Sequence, residues 1–179
     1  LHAQKAETLQ LASWKDNLGN QMFLLEDSDL RNSYGDIIGK IAASHGTTID
    51  RMMHLLGTDL IGAPGFLPSH WTIDPIKLGC LMRAVDAIDV DDSRAPSLLF
   101  TLRKPSGISK EHWTFQNKLN QPTVKGSRIL FTSKSPFGIE ESDSWWLCFD
   151  TLRMIDSELK SVDSFLSDLG RTTFGVNGV

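Results

Sequence analysis

A mainly α-helical fold is predicted for this chain, with a small β-hairpin insertion at about 112–133 and a long C-terminal helix at about 142–169. Three observations carry that expectation. Apolar residues recur at helical spacing in one segment after another. Trp145, Cys148, Leu152, Ile155, Leu159, Val162, Leu166 and Leu169 follow one another in alternating steps of three and four, which makes a continuous a/d seam. Two β-prone runs around a turn occur in one region. The 179 residues, 40% hydrophobic and 22% charged, are enough for one sizeable core and indicate one domain.

Taken in order, residues 3–13 read as a short amphipathic helix on Ala3, Ala6, Leu9 and Ala12. Trp14–Asn17 is a break, and Asp27-Ser28-Asp29 forms an N-terminal cap cluster. Gly35 to Ser44 is a stronger helix, with Ile37, Ile38, Ile41 and Ala42 at helical spacing and a stop at His45-Gly46. Thr48 to Leu56 is a further helix on Ile49, Met52, Met53 and Leu56. Gly62-Ala63-Pro64-Gly65 and Pro68-Ser69 mark a loop. Asp74 caps, and Pro75 pre-sets, a helix over Ile76 to Ile88. Another helix is expected from about Ala95 to Arg103. His112-Trp113-Thr114-Phe115 alternates, and Lys125-Gly126 turns between Pro122-Thr123-Val124 and Ile129-Leu130-Phe131-Thr132, which argues for the hairpin. Gly170 closes the long helix. Its seam has two readings, a helix packed on its own domain or a homodimer interface over 145–169. The extra aromatics Trp146 and Phe149 suggest that its first turns are buried on more than one side.

Composition excludes several classes. A net charge of -4 disfavours nonspecific binding to nucleic acid or to an anionic membrane. No apolar run is long enough for a transmembrane helix, and no signal peptide is visible. Cys80 and Cys148 lie in apolar runs, read as small buried hydrophobes in a reducing, cytoplasmic setting. Neither the phosphate-cradling G-x-x-x-x-G-K-[ST] and G-x-G-x-x-G patterns nor a G-x-S-x-G nucleophile elbow occurs. The chain starts at Leu1 and ends on Phe174 to Val179 without a clear closing element, so both ends are read as cuts.

Two segments could carry chemistry. His45 ends an apolar helix, where an imidazole serves either as a metal ligand or as a favourable partner of the helix dipole. Asp86 lies between Val85 and Ile88, and a carboxylate in so apolar a helix needs a partner. That partner is Arg83 one turn back, backbone donors, or a metal. Asp89 shares the face of Asp86 at i,i+3. The acidic run through Asp91 and Asp92 matches no calcium loop and is read as a frayed, mostly solvated helix end.

The segments Ile41-Ala42-Ala43-Ser44-His45 and Leu81-Met82-Arg83-Ala84-Val85-Asp86-Ala87-Ile88-Asp89 resemble the second half of an HD-superfamily domain. Leu24 to Arg31, Pro64-Gly65-Phe66-Leu67-Pro68, Asp92-Ser93-Arg94-Ala95-Pro96 and, most specifically, Trp145-Trp146-Leu147-Cys148-Phe149-Asp150-Thr151-Leu152-Arg153 narrow the resemblance. Together they resemble the HD-like module that precedes a heat-shock-chaperone-type (GHKL) ATPase domain in large bacterial proteins. The resemblance implies an HD-like helical bundle and a metal-dependent phosphohydrolase-type module, with residues 1–179 as one partial domain. It places His45 and Asp86 as metal ligands. Asp89 is a possible accessory, and Arg83 and Lys40 are candidates, on charge, to steady a phosphate.

The implied cofactor is a divalent metal (Mg, Mn, Fe or Zn). The implied partners are a nucleotide or phosphoester ligand and a downstream ATPase domain, with no membrane or nucleic acid. One departure stands out: none of the histidines is followed by Asp, whereas the family places a His-Asp dyad upstream of the His45-type helix. Catalysis by the isolated chain is therefore not expected. The alternative is a non-catalytic sensor or regulatory module that controls the ATPase.

Overall fold

The computed structural model describes residues 2–95 and 102–179, and it is mainly α-helical, with a long C-terminal helix. The chain divides into two compact units, Leu1–Arg83 and Ala84–Val179. No helix of the described residues is long and apolar enough to cross a membrane. Most of the helix expected over about 95–103, namely residues 96–101, lies outside the described residues.

In the first unit, α1 (His2–Leu9) leads into a hairpin of β1 (Ser13–Lys15) and β2 (Gln21–Phe23), with Trp14 opposite Met22. The hairpin occupies the segment that the sequence presents as a break. Its turn is made by Asp16, whose carboxylate accepts from the N–H groups of Leu18 and Asn20, both at 2.8 Å. A further hydrogen bond from the Asn20 side chain at 2.9 Å is the chief reason that the Asp16 carboxyl lies below its ordinary range, and the backbone N–H groups add to it.

Helix α2 (Ser28–Ser44) begins earlier than the Gly35 of the sequence pattern, because Asp27 accepts from the N–H groups of Asp29 and Leu30 at 2.9 Å. α1 packs on α2. Their approach is set by Gly39, where a Cβ would collide with the Gln10 side chain and the Glu7 carbonyl. Gln10 is itself buried and donates to that carbonyl at 2.7 Å.

Helix α3 (Ile49–Leu56) starts at Thr48, whose hydroxyl accepts from the Arg51 N–H. It buries Met52 and Leu56. A two-residue ladder, β3 (Ile61–Gly62) with β4 (Thr72–Ile73), spans the Gly-Pro loop. α4 (Pro75–Ile88) then begins as the sequence predicts, with the Asp74 carboxylate accepting from the Lys77 N–H at 2.9 Å. Its residues from Ala84 onward belong to the second unit.

In the second unit, α5 (Ile108–Lys118) takes up residues 112–118, so the His112 to Phe115 alternation is helical and not part of the hairpin. Alternation over four residues fits a helix as well when only Phe115 of the four is fully buried. The hairpin itself lies where the sequence places it, as β5 (Thr123–Lys125) against β6 (Arg128–Leu130). Gly126 at φ +62° supplies the turn.

α6 (Ser142–Asp168) is the long helix. Its seam residues Cys148, Ile155 and Leu159 pack with Ala84, Val90, Phe115, Leu119 and Ile129 in one core, and Val162 and Leu166 are fully buried. The seam thus faces the chain's own core. The first turns differ from expectation: Trp145, Trp146 and Phe149 are exposed, because the inward positions there are held by Ser144 and Cys148.

A Schellman arrangement at Gly170 (φ +66°) ends the helix, with the Arg171 N–H on the Leu166 carbonyl at 2.8 Å and the Gly170 N–H on that of Ser167 at 2.9 Å. The chain then runs back along α6. The Asp163 carboxylate accepts from the N–H groups of Phe174, Gly175 and Val176, and Asp156 accepts from that of Val179. Gly178 bridges to β6, its carbonyl accepting from the Ile129 N–H. This strap is an ordered element that the sequence pattern does not reveal.

Candidate functional site

His45 stands at the C-terminal end of α2 and is half-buried. Its Nδ1 lies 2.6 Å from the carbonyl of Ala42. A carbonyl only accepts, so Nδ1 carries a hydrogen, and in the neutral ring the lone pair then resides on Nε2. That is the tautomer a metal-ligating histidine has when a backbone carbonyl orients it.

The end of α2 is itself firmly held. The Ser44 carbonyl accepts from the Thr47 N–H at 3.1 Å, the Thr47 hydroxyl at 2.9 Å and the Arg83 guanidinium at 3.5 Å. Arg83 also donates to the Thr47 carbonyl. A cation on the last carbonyls of a helix complements both their lone pairs and the dipole. Arg83 therefore braces the turn that carries His45. Gly79 makes the approach possible, because a Cβ there would sit 3.2 Å from the Ser44 hydroxyl and 2.7 Å from Leu56. Lys40, one turn back on α2, is paired with Asp36 at 2.7 Å.

In the second unit, Asp86 and Asp89 project from the end of α4. Asp86 is not buried: its side chain is 54% exposed, and Val85 beside it is 55% exposed. The cation shared by both is Arg94, 3.9 Å from Asp86 and 3.2 Å from Asp89. Arg94 also donates to the Asp89 carbonyl.

Asp91 determines where Arg94 stands. It is buried, and its carboxylate accepts from the Ser93 N–H at 2.8 Å, which caps the 3-10 turn Asp92–Arg94. The acidic run is thus a folded turn and not a frayed end, with Asp92 paired to Lys134. An open recess of about 340 Å³ adjoins it, lined by Val85, Ile88, Asp89, Asp91, Gln121 and Pro122. Two carboxylates on apolar walls suit a cation or a hydrogen-bond donor; a phosphate there needs Arg94 or a metal between.

Arg94 is the functional-type residue that sequence reasoning misses. Its signal is a lone cation directly after the run Asp86, Asp89, Asp91, Asp92. Among the described residues, no group of three or more His, Cys, Asp or Glu side chains has the arrangement to hold a metal ion.

Comparison with known proteins gives one assignment. No curated protein sequence and no solved structure matches the chain. The family model described as HD-CE matches residues 1–161, which includes the His45 helix end, the Asp86 helix and the Trp145 to Arg153 block. The chain belongs to the HD-CE family.

Proposed function

We propose that the chain is an HD-like module of the metal-dependent phosphohydrolase type, which works in a larger bacterial protein beside a chaperone-type ATPase domain. His45 and Asp86 each supply a ligand to a divalent metal (Mg, Mn, Fe or Zn). Water or side chains beyond the described residues complete the set. When bound, such a metal polarises a phosphoester and activates water. Arg83 positions the His45 turn, Asp89 stands one turn beyond Asp86, and Lys40 adds positive charge on α2. The observation that supports this most is the His45 ring, oriented through Nδ1 by a helix carbonyl on a turn that Arg83 braces.

A second reading, a non-catalytic sensor module that controls the ATPase, is favoured by Arg94. That guanidinium already pairs with both Asp86 and Asp89, and a metal at Asp86 must compete with it.

Titration with Mn²⁺, followed by paramagnetic broadening of nuclear magnetic resonance signals, separates the two. The metal reading predicts selective broadening at His45 and Asp86 that His45→Ala and Asp86→Asn each remove. Diffuse broadening that survives both substitutions refutes it. The sensor reading predicts that Asp86→Asn leaves control of the ATPase intact in the full protein.

A further inference from the structure

The first turns of α6 and the start of α5 present a surface that the core of the second unit does not use. Trp145, Trp146 and Phe149 remain 43%, 58% and 41% exposed. They pack on one another as one cluster of rings. Trp145 stacks on Phe149 with centroids 5.7 Å apart and planes within 7°. Trp146 meets both edge-on, at 4.7 Å and 6.0 Å. Fixed rings offer contact area at little further cost in side-chain entropy.

Beside Trp146 runs a groove of about 500 Å³, whose apolar walls are Ile108 and Leu147. Its charged lining is all acidic: Glu111, Asp143 and Asp150. Glu111 is held in place by the Ser144 hydroxyl, which donates to it. Asp143 and Asp150 have no ion-pair partner among the described residues.

We propose that this groove docks a cationic segment of a partner protein, one that carries Arg or Lys next to a bulky apolar residue. Phe149 already has Arg153 over its ring at 5.8 Å, so the cation falls to Trp146 and the groove lining, which match that chemistry. An indole face attracts a guanidinium or ammonium group. Asp143 and Asp150 complete the neutralisation, and Ile108 with Leu147 receives the apolar neighbour. Nucleic acid and anionic lipid are disfavoured, because three carboxylates line the groove. A second copy of the chain is disfavoured as well. A two-fold interface would bring the same three carboxylates of both copies together, in a chain already at -4.

The probe is a ten-residue peptide of alternating Arg and Leu, with a Gln-Leu peptide of equal length as control. Affinity is read by calorimetry and placement by the Trp146 indole N–H resonance. The expected result is saturable binding of the Arg-Leu peptide that shifts Trp146, with much weaker binding of the Gln-Leu peptide. The double substitution Asp143→Asn with Asp150→Asn should lower affinity about three- to tenfold, and raised salt should act in the same direction. Trp146→Ala should remove most of the binding. Melting curves establish which variants fold; the double charge variant changes no buried residue, so it decides the matter if Trp146→Ala unfolds.

Absence of binding, equal binding of the Gln-Leu peptide, or unchanged affinity of the double charge variant would overturn the proposal. So would light scattering that shows a dimer which Trp146→Ala dissolves, since the surface then belongs to a second copy.

Discussion

The two units bring their helices together by opposite means. In the first, close approach rests on side chains that are missing. Gly39 admits Gln10 and the Glu7 carbonyl, and Gly79 admits Leu56, Met52 and Ser44. In the second, approach rests on side chains that are large, with Phe115, Leu119, Ile129, Ile155 and Leu159 interdigitated around Cys148. Burial also pushes the Cys148 thiol above its ordinary pKa, as for an inert core cysteine. The first unit is therefore sensitive to added atoms and the second to removed ones. The difference bears on function, because His45 stands in the first. Its position depends on how closely α4 can approach the end of α2, and so on Gly79 and Arg83 more than on any apolar contact of its own.

The largest expected effect tests the second unit. Phe115→Ala removes a fully buried ring and should cost about 3–5 kcal/mol of unfolding free energy. A loss below about 1 kcal/mol in urea denaturation would mean that the core closes around the gap and is not the close-packed one described. The next effect tests the first unit by addition. Gly79→Val should cost about 1–3 kcal/mol through overpacking. It should also shift the His45 ring resonances, since the added methyls press on Ser44. An unperturbed His45 would break the link between glycine packing and the candidate ligand.

This contrast explains what could be read from the sequence. Bulky residues announce themselves by period, so the seam from Cys148 to Leu166 and the extent of α6 follow from spacing. Caps are equally legible, because Asp27, Thr48 and Asp74 each accept from an N–H two or three residues on. A glycine contact leaves no such trace, as the partner of Gly39 lies on another helix. The β1–β2 hairpin is hidden because its strands, Ser13-Trp14-Lys15 and Gln21-Met22-Phe23, carry none of the β-branched residues that mark the equally short β5 and β6.

The exposure of Asp86 is hidden for a different reason. When a helix is apolar on nearly all sides, its neighbours do not reveal which face is inside, and Leu81, Met82 and Val85 are exposed along with it. The same ambiguity conceals the outward aromatics at Trp145 and Trp146. The strap after Gly170 is illegible because carboxylates on α6 hold it by its backbone N–H groups, whatever its side chains.

That strap supplies the smallest test, since it is the part of the second unit held by charge as well as by packing. The Asp156 carboxyl lies below its ordinary value of 3.8, chiefly because Lys160 donates a hydrogen bond to it at 2.6 Å. Desolvation by burial opposes this as the next-largest effect, and the N–H of Val179 and the nearby charges of Lys160 and Arg128 add smaller lowering contributions. A carboxyl whose folded value lies below its unfolded one adds stability that is complete above the unfolded value. That stability is lost as pH falls through the folded value. In the chain with its terminal carboxyl amidated, the Val179 amide resonance should therefore move with a midpoint below 3.8, and Asp156→Asn should abolish the step. The variant should be slightly less stable than the parent at neutral pH, and the two stabilities should converge in acid. Phe115→Ala, which removes no titrating group, should keep its deficit at every pH. A Val179 midpoint at or above 3.8, or a step that persists in Asp156→Asn, would mean that Asp156 does not hold Val179, and would leave the strap to the Asp163 carboxylate and to its apolar residues Phe174, Val176 and Val179.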